Sequence, residues 1–181
     1  DNGNELTAFS ILKKHVQKSS KQNRIYTVHR LDRETSGVLV FAKTLEVKQA
    51  LQDSWHKDVK RRVYVAVVEG KMDKEKDTIV SWLTEHEKSL KIHSSPVDNG
   101  GQQAVTHYRV IKSNDQYSLL EIELDTGRKN QIRVHLQSVG HPIIGDKKYG
   151  AKTNPLARVA LHARILEFKH PVTGKIVKFE T

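Results

Sequence analysis

No cysteine occurs among the 181 residues. That absence excludes a disulfide framework, a thiolate zinc site, an iron–sulfur cluster and a cysteine nucleophile. Long apolar runs are missing too, since no stretch approaches the roughly 20 residues needed to cross a bilayer. Residues 1–7 lack the basic-then-apolar plan of a signal peptide. A soluble, cytoplasmic protein is the expectation. Acidic residues are in deficit: 21 Asp and Glu face 31 Lys and Arg, a net charge of +10. The excess favours polyanionic partners through phosphate contacts and counterion release, with nucleic acid as the first reading and a generally basic soluble protein as the other. At 36% hydrophobic and 29% charged, the chain can bury one core and is too short for two ordinary enzyme domains.

In residues 7–16, Phe9, Leu12 and Val16 recur at near-helical spacing, which predicts a short amphipathic helix. After a polar loop, Ile25, Tyr26 and Val28 form an extended stretch. Residues 37–42, Gly-Val-Leu-Val-Phe-Ala, are apolar on both alternating faces and predict a central strand buried on each side. Helix is predicted over 45–58 and strand over 62–68; short strands follow at 78–83 and 89–93. Residues 105–111 and 118–124 predict a hairpin, 132–139 a helix that stops before Gly140 and Pro142, and 161–168 and 176–179 two closing strands. Short turns join most strands, so the expected fold class is α+β, a largely antiparallel mixed β-sheet with flanking helices. No repeats or low-complexity segments interrupt it.

Three segments carry chemistry. In His29-Arg30-Leu31-Asp32-Arg33-Glu34-Thr35-Ser36-Gly37 a carboxylate stands between two guanidiniums. Opposite charge nearby favours an ionised carboxylate, available as nucleophile or electrostatic stabiliser. The same residues also fit a structural ion pair or an Asx-turn. In Arg61-Arg62-Val63-Tyr64-Val65-Ala66-Val67-Val68-Glu69-Gly70, strand alternation puts Tyr64 on one face with Ala66 and Val68. Its hydroxyl can face a cavity, or the ring can simply fill core. In Thr126-Gly127-Arg128-Lys129-Asn130-Gln131-Ile132-Arg133-Val134-His135-Leu136, a glycine turn feeds a helix on which Arg133 sits at the edge between packing and solvent. From there it can reach an active-site anion, or belong to a solvated basic face.

Together these segments resemble the RluA-type family of pseudouridine synthases. The likeness continues through Val38-Leu39-Val40-Phe41-Ala42-Lys43, Ala104-Val105-Thr106-His107-Tyr108-Arg109-Val110, Gly140-His141-Pro142-Ile143-Ile144-Gly145-Asp146 and Leu161-His162-Ala163, in order, over about residues 6–179. Two departures stand out. Members commonly begin with a Lys-Pro-x-Gly strand, often preceded by a small S4 RNA-binding domain, whereas this chain begins Asp1-Asn2-Gly3-Asn4. Residues 1–181 are therefore expected to be one pseudouridine synthase catalytic domain, N-terminally incomplete. Lys129-Asn130 also replaces the usual residue-plus-His before Gln131.

The resemblance implies that Asp32 is the catalytic aspartate, attacking either the ribose anomeric carbon or the pyrimidine ring. Tyr64 then matches the tyrosine that stacks on the base and is a candidate for removing the C5 proton. Its ordinary pKa near 10 calls for help from the surroundings or a strongly acidic C5 proton. Arg133 matches the arginine that pairs with the aspartate. Arg30 matches a residue that enters the space left by the everted base, and Leu161 an apolar position lining the base pocket. His29 and Arg128 complete the expected substrate-binding set.

The implied activity is isomerisation of uridines in structured RNA, ribosomal or transfer RNA, by a monomer without cofactor or metal. Ten histidines include no His-Glu-x-x-His, and His86, His93 and His107 stand at no ligand spacing. Two alternatives compete. A non-catalytic RNA-binding module of the same fold has no need to keep Asp32, Tyr64 and Arg133 together. A retaining glycoside hydrolase wants a second carboxylate about 5 Å from Asp32, for which Glu34 is the one nearby candidate.

Overall fold

The structure, a computed structural model, describes residues 6–181, so the polar opening Asp1-Asn2-Gly3-Asn4 lies outside the described residues. The elements run α1 (Ala8–Val16), β1 (Tyr26–Thr27), β2 (Ser36–Gly37), β3 (Phe41–Ala42), α2 (Leu45–Asp53), α3 (Trp55–Asp58), β4 (Val59–Glu69) and β5 (Lys76–Glu85). They continue with β6 (Ile92–Ser95), β7 (Gln102–Ser113), β8 (Tyr117–Leu124), α4 (Gln131–Ser138), a 3-10 turn (Lys147–Tyr149), β9 (Leu161–Lys169) and β10 (Ile176–Glu180). Two compact units result. The smaller takes in the chain up to Leu31, Leu39–Lys60 and Glu167–Lys178; the larger, Asp32–Val38, Arg61–Leu166 and Phe179–Thr181.

In the smaller unit a capping box starts α1. Thr7 Oγ1 accepts the Ser10 N–H at 3.0 Å, and Ser10 Oγ accepts the Thr7 N–H at 3.0 Å. Strands β1 and β3 pair antiparallel, Tyr26 opposite Ala42. The helix expected over 45–58 breaks at Ser54, whose hydroxyl donates to the Ala50 carbonyl at 2.8 Å, a local bond that competes with the helical ladder. His29 is held in this unit: its Nε2 accepts the Val40 N–H at 3.1 Å and its ring stacks on Trp55, centroids 4.9 Å apart.

The central strand expected over 37–42 is not formed. Ser36–Gly37 pairs in parallel with β9, Phe41–Ala42 pairs with β1, and the residues between belong to no strand. Two local causes account for it. Gly37 has φ +118°, and a Cβ there would lie 2.1 Å from the Ala163 carbonyl oxygen. The Val40 N–H goes to the His29 ring instead of a neighbouring strand.

The eight-stranded sheet runs β10-β9-β4-β8-β7-β5-β6, with β2 beside β9. It is the α+β, largely antiparallel mixed sheet that the short turns imply. Tyr64, Ala66 and Val68 of β4 face Ile122, Leu120 and Ser118 of β8 across an antiparallel ladder. The β7–β8 hairpin turns at Asn114, whose Oδ1 accepts the N–H groups of Gln116 and Tyr117 at 2.9 and 2.8 Å. Helix α4 covers one face: Ile132 and Leu136 join Ala66, Val68, Leu120, Ile122 and Leu161 in the main core.

Residues Gln131 to Leu136 of α4 are all buried, including His135, which has no exposed surface. His135 Nε2 bonds Ser81 Oγ and its Nδ1 bonds Thr106 Oγ1, both at 2.8 Å. Burial, which penalises the charged ring, pushes its pKa down to about 4 from 6.5. Above pH 6.5 the ring is neutral in both folded and unfolded chain; between 6.5 and about 4 only the unfolded chain takes up the proton. Stability is therefore lost as pH falls through that window, by up to roughly 3 kcal/mol. Urea unfolding from pH 7 to 4 is expected to show this slope, and His135→Gln to remove it. Equal slopes in the two proteins would place the acid sensitivity elsewhere.

Candidate active site

The larger unit brings Asp32, Tyr64 and Arg133 into one neighbourhood. Arg133 is 4% exposed rather than at the edge between packing and solvent where its helical phase put it. Its neighbours on α4 are buried as well, so the helix has no solvated face over its first six residues. A charge this deep needs a partner. Arg133 Nε donates to Asp146 Oδ2 at 2.6 Å and Nη2 to Asp146 Oδ1 at 2.9 Å, a two-pronged pairing with a carboxylate that is 1% exposed.

The third nitrogen, Nη1, is left for two more carboxylates. It donates to Glu34 Oε2 at 3.1 Å and stands 3.7 Å from Asp32 Oδ2. Asp32 is 19% exposed and Glu34 47%. Burial works against the guanidinium's charge, but the Asp146 hydrogen bond and the negative charges of Asp146, Glu34 and Asp32 outweigh it. Arg133 is held protonated more firmly than an ordinary arginine. Its plane also packs against Tyr149, Cζ 5.1 Å from the ring centroid, while the Tyr149 hydroxyl donates to Asn130 Oδ1 at 3.1 Å and accepts the Ile92 N–H at 3.2 Å.

The turn before α4 is equally constrained. Gln131 Oε1 accepts from Thr126 Oγ1 at 2.8 Å and from the Arg128 N–H at 3.0 Å, and its Nε2 donates to the Val105 carbonyl at 2.9 Å. Asn130 takes the left-handed conformation at φ 52°, which asparagine tolerates better than most residues. Gly127 lies so close to Arg62 that a Cβ would sit 2.6 Å from Nη1. Arg62 in turn donates to the carbonyls of Leu124 and Asp125 at 3.2 and 2.7 Å.

Tyr64 packs partly buried against the main core, which contains Leu161. Burial pushes its hydroxyl above 10 and the Asp32 charge pushes the same way, with Arg62 opposing. The surroundings thus keep the phenol protonated. Leu161, 3% exposed, also borders a hollow of about 210 Å³ with Ser36, Ala66 and His162. Arg128 Nε donates to the Gln103 carbonyl at 3.2 Å, and its charge bears on Arg62. His29 and Arg30 belong to the smaller unit, where His29 holds Val40 and Trp55 and Arg30 is exposed. Among the described residues no group of three or more His, Cys, Asp or Glu side chains is placed to hold a metal ion.

Asp146 and Tyr149 are the members that the sequence reading passed over. A carboxylate ending the apolar run Pro142-Ile143-Ile144-Gly145 is a signal for a buried ion partner, but nothing in spacing ties it to an arginine 13 residues earlier. Removing one partner of a buried pair strands the other charge, so Asp146→Asn is expected to cost about 3–5 kcal/mol in urea unfolding at pH 7. A loss below about 1 kcal/mol, the range of an exposed pair, would contradict the geometry.

Comparison with known proteins places the chain. The sequence profile of RNA pseudouridylate synthase matches residues 4–138. The uncharacterized RNA pseudouridine synthase YhcT of Bacillus subtilis is 39% identical over 183 residues, covering 99% of this chain and 60% of its own length. Ribosomal large subunit pseudouridine synthase D of Nitrosomonas europaea is 40% identical over 191 residues, covering 99% of this chain and 54% of its own length. The chain thus spans about half to three fifths of the length of the relatives it matches. In fold it is similar to human RNA pseudouridylate synthase domain containing 1, TM-score 0.78 at 23% identity, over 94% of this chain and 73% of that one. The motifs and the profile agree: this chain belongs to the RNA pseudouridylate synthase family, as its likeness to the RluA-type members implied.

Proposed function

We propose that residues 1–181 form the catalytic domain of an enzyme that isomerises uridines in RNA to pseudouridine, with Asp32 as nucleophile. The observation that carries the reading is Asp32 Oδ2 standing 3.7 Å from Nη1 of a buried guanidinium, the nitrogen that Asp146 leaves over and that Glu34 shares. A carboxylate aimed by a fixed cation keeps its lone pairs directed without spending binding energy on orientation. Whether it attacks the anomeric carbon or the pyrimidine ring, the residue required is the same. The glycosidic bond from N1 breaks, the uracil turns, C5 bonds to the ribose carbon, the bond to the Asp32 carboxylate breaks so that the carboxylate is regenerated, the C5 proton leaves and N1 takes one up.

Tyr64 supplies its ring as the surface on which the base rests and is the candidate for removing the C5 proton. With its hydroxyl pushed above 10, it accepts that proton only as phenolate, having first given its own to solvent, and the loss restores the conjugated uracil. Leu161 contributes apolar wall. Arg30, exposed and cationic, is assigned to the space vacated by the base, where stacking offsets part of the few kcal/mol that extraction costs. His29 acts through the loop that carries Arg30, and Arg128 through the turn before α4.

The substrate is proposed to be RNA, recognised by phosphate contacts and splayed bases. Relatives named for the ribosomal large subunit favour ribosomal RNA over transfer RNA. No helix among the described residues is long and apolar enough to cross a membrane. A cytoplasmic monomer acting on RNA is part of the proposal.

Asp32→Asn is expected to abolish pseudouridine formation in RNA while RNA binding persists; product at the unaltered level would remove Asp32 from the chemistry. Tyr64→Phe, which keeps the ring and deletes the hydroxyl, is expected to slow turnover roughly 10²-fold or more. Product analysis should find pseudouridine without free uracil, since release of uracil would instead support the hydrolase.

A further inference from the structure

The smaller unit holds a feature that the isomerisation does not use. Besides Arg30, residues 6–31 carry Lys13, Lys14, Lys18, Lys21 and Arg24 and no Asp or Glu, although the whole chain has 21 acids for 31 cations. Lys13 and Lys14 in the last turn of α1 complement the helix dipole. That explanation does not reach Lys18, Lys21 or Arg24, which lie beyond the helix. Among the described residues none of these cations is paired with a carboxylate, whereas Lys74, Arg109, Lys129 and Arg133 are.

Lys13, Lys18, Lys21 and Arg24 border two hollows. One, of about 740 Å³, has Phe9 and Lys13 of α1 and its C-cap Gln17 on one side, four residues apart and so on one helical stripe. Lys21, Arg24 and Tyr26 close the other side. The second, of about 490 Å³, is bordered by His15, Lys18, Asn23 and Lys43, and Arg24 is common to both. Phe9 is 40% exposed and Tyr26 half-buried, so aromatic faces stand where solvent reaches them.

We propose that α1 and the loop after it bind a single-stranded stretch of RNA, holding a nucleotide other than the one isomerised. This rests on the reading that the substrate is RNA. A base stacks on Phe9 or Tyr26, Gln17 offers an amide to its edge, and the flanking phosphates meet Lys13, Lys21 and Lys18. Arg24, shared by the hollows, takes the phosphate between neighbouring nucleotides. An acidic polypeptide would satisfy the charge but leave the aromatic and amide lining of the larger hollow without a matching group.

The test measures binding of a fluorescein-labelled oligouridylate of about twelve nucleotides to the full chain over a range of salt. Combined Lys13→Gln, Lys21→Gln and Arg24→Gln is expected to reduce the slope of log affinity against log salt by about 2, as for three lost phosphate contacts on a single strand. Tyr26→Leu, which keeps apolar bulk, is expected to lower affinity roughly fivefold or more with the slope kept. Melting temperatures matching the unaltered chain establish that the variants fold. Wild-type slope and affinity in the triple variant would overturn the proposal, as would equal competition by duplex RNA or polyglutamate. Asp32→Asn, assayed alongside, separates the two readings. If product depends on Asp32 but the triple variant binds normally, the surface reading alone fails; if no RNA is isomerised yet the losses appear, catalysis alone fails.

Discussion

A positive charge that cannot leave the protein interior organises this site. Arg133 comes from a helix whose neighbouring residues are buried, so its guanidinium cannot reach bulk water. Taking such a group out of water costs several kcal/mol, which is recovered only if the partner geometry is good and the remaining donors are used. Asp146 meets the first condition with two short hydrogen bonds, and Tyr149 covers the guanidinium plane. What remains is a single nitrogen, and it points at Glu34 and Asp32. A pair of this kind adds little net stability compared with apolar packing; its contribution is direction.

Direction is inherited from the sheet. Gln131 ties the turn before α4 to Arg128, Thr126 and strand β7, so the helix starts at a set place with Asn130 in a conformation few residues accept. Ile132 and Leu136 then lock the helix onto Leu120 and Ile122, and β4 delivers Tyr64 to the same core. Asp32 arrives by another route. Ser36–Gly37 is bound in parallel to β9, Gly37 pressed against Ala163, which anchors the segment four residues after the aspartate. Sites carried on packed strands and helices hold their groups more closely than sites on free loops.

Periodicity located α1, the β7–β8 hairpin, α4 and the two final strands, although α1 and β10 bury no residue and α4 is buried all round over its first six. It failed for residues 37–42. Apolar composition there signals burial, but Gly37 and the His29 ring divert the backbone, and neither effect has a period. Arg133 shows the same limit from the other side. A helical wheel counts one face as core, while here tertiary packing from Tyr149 and Asp146 closes over the edge as well. Asp32, Tyr64 and Arg133 were legible as residues through their motifs. Asp146 was legible only as part of one, since a contact between distant loops is written in no local pattern.

Everything rests on one planar cation serving Asp146 and Asp32 at once. Arg133→Lys keeps the charge but offers a single point of contact, which cannot fill both places. Single-turnover pseudouridine formation at saturating RNA measures the consequence directly. The expected result is a rate about 10²-fold slower or worse with RNA affinity retained. A lysine variant that turns over at the rate of the unaltered protein would contradict the account.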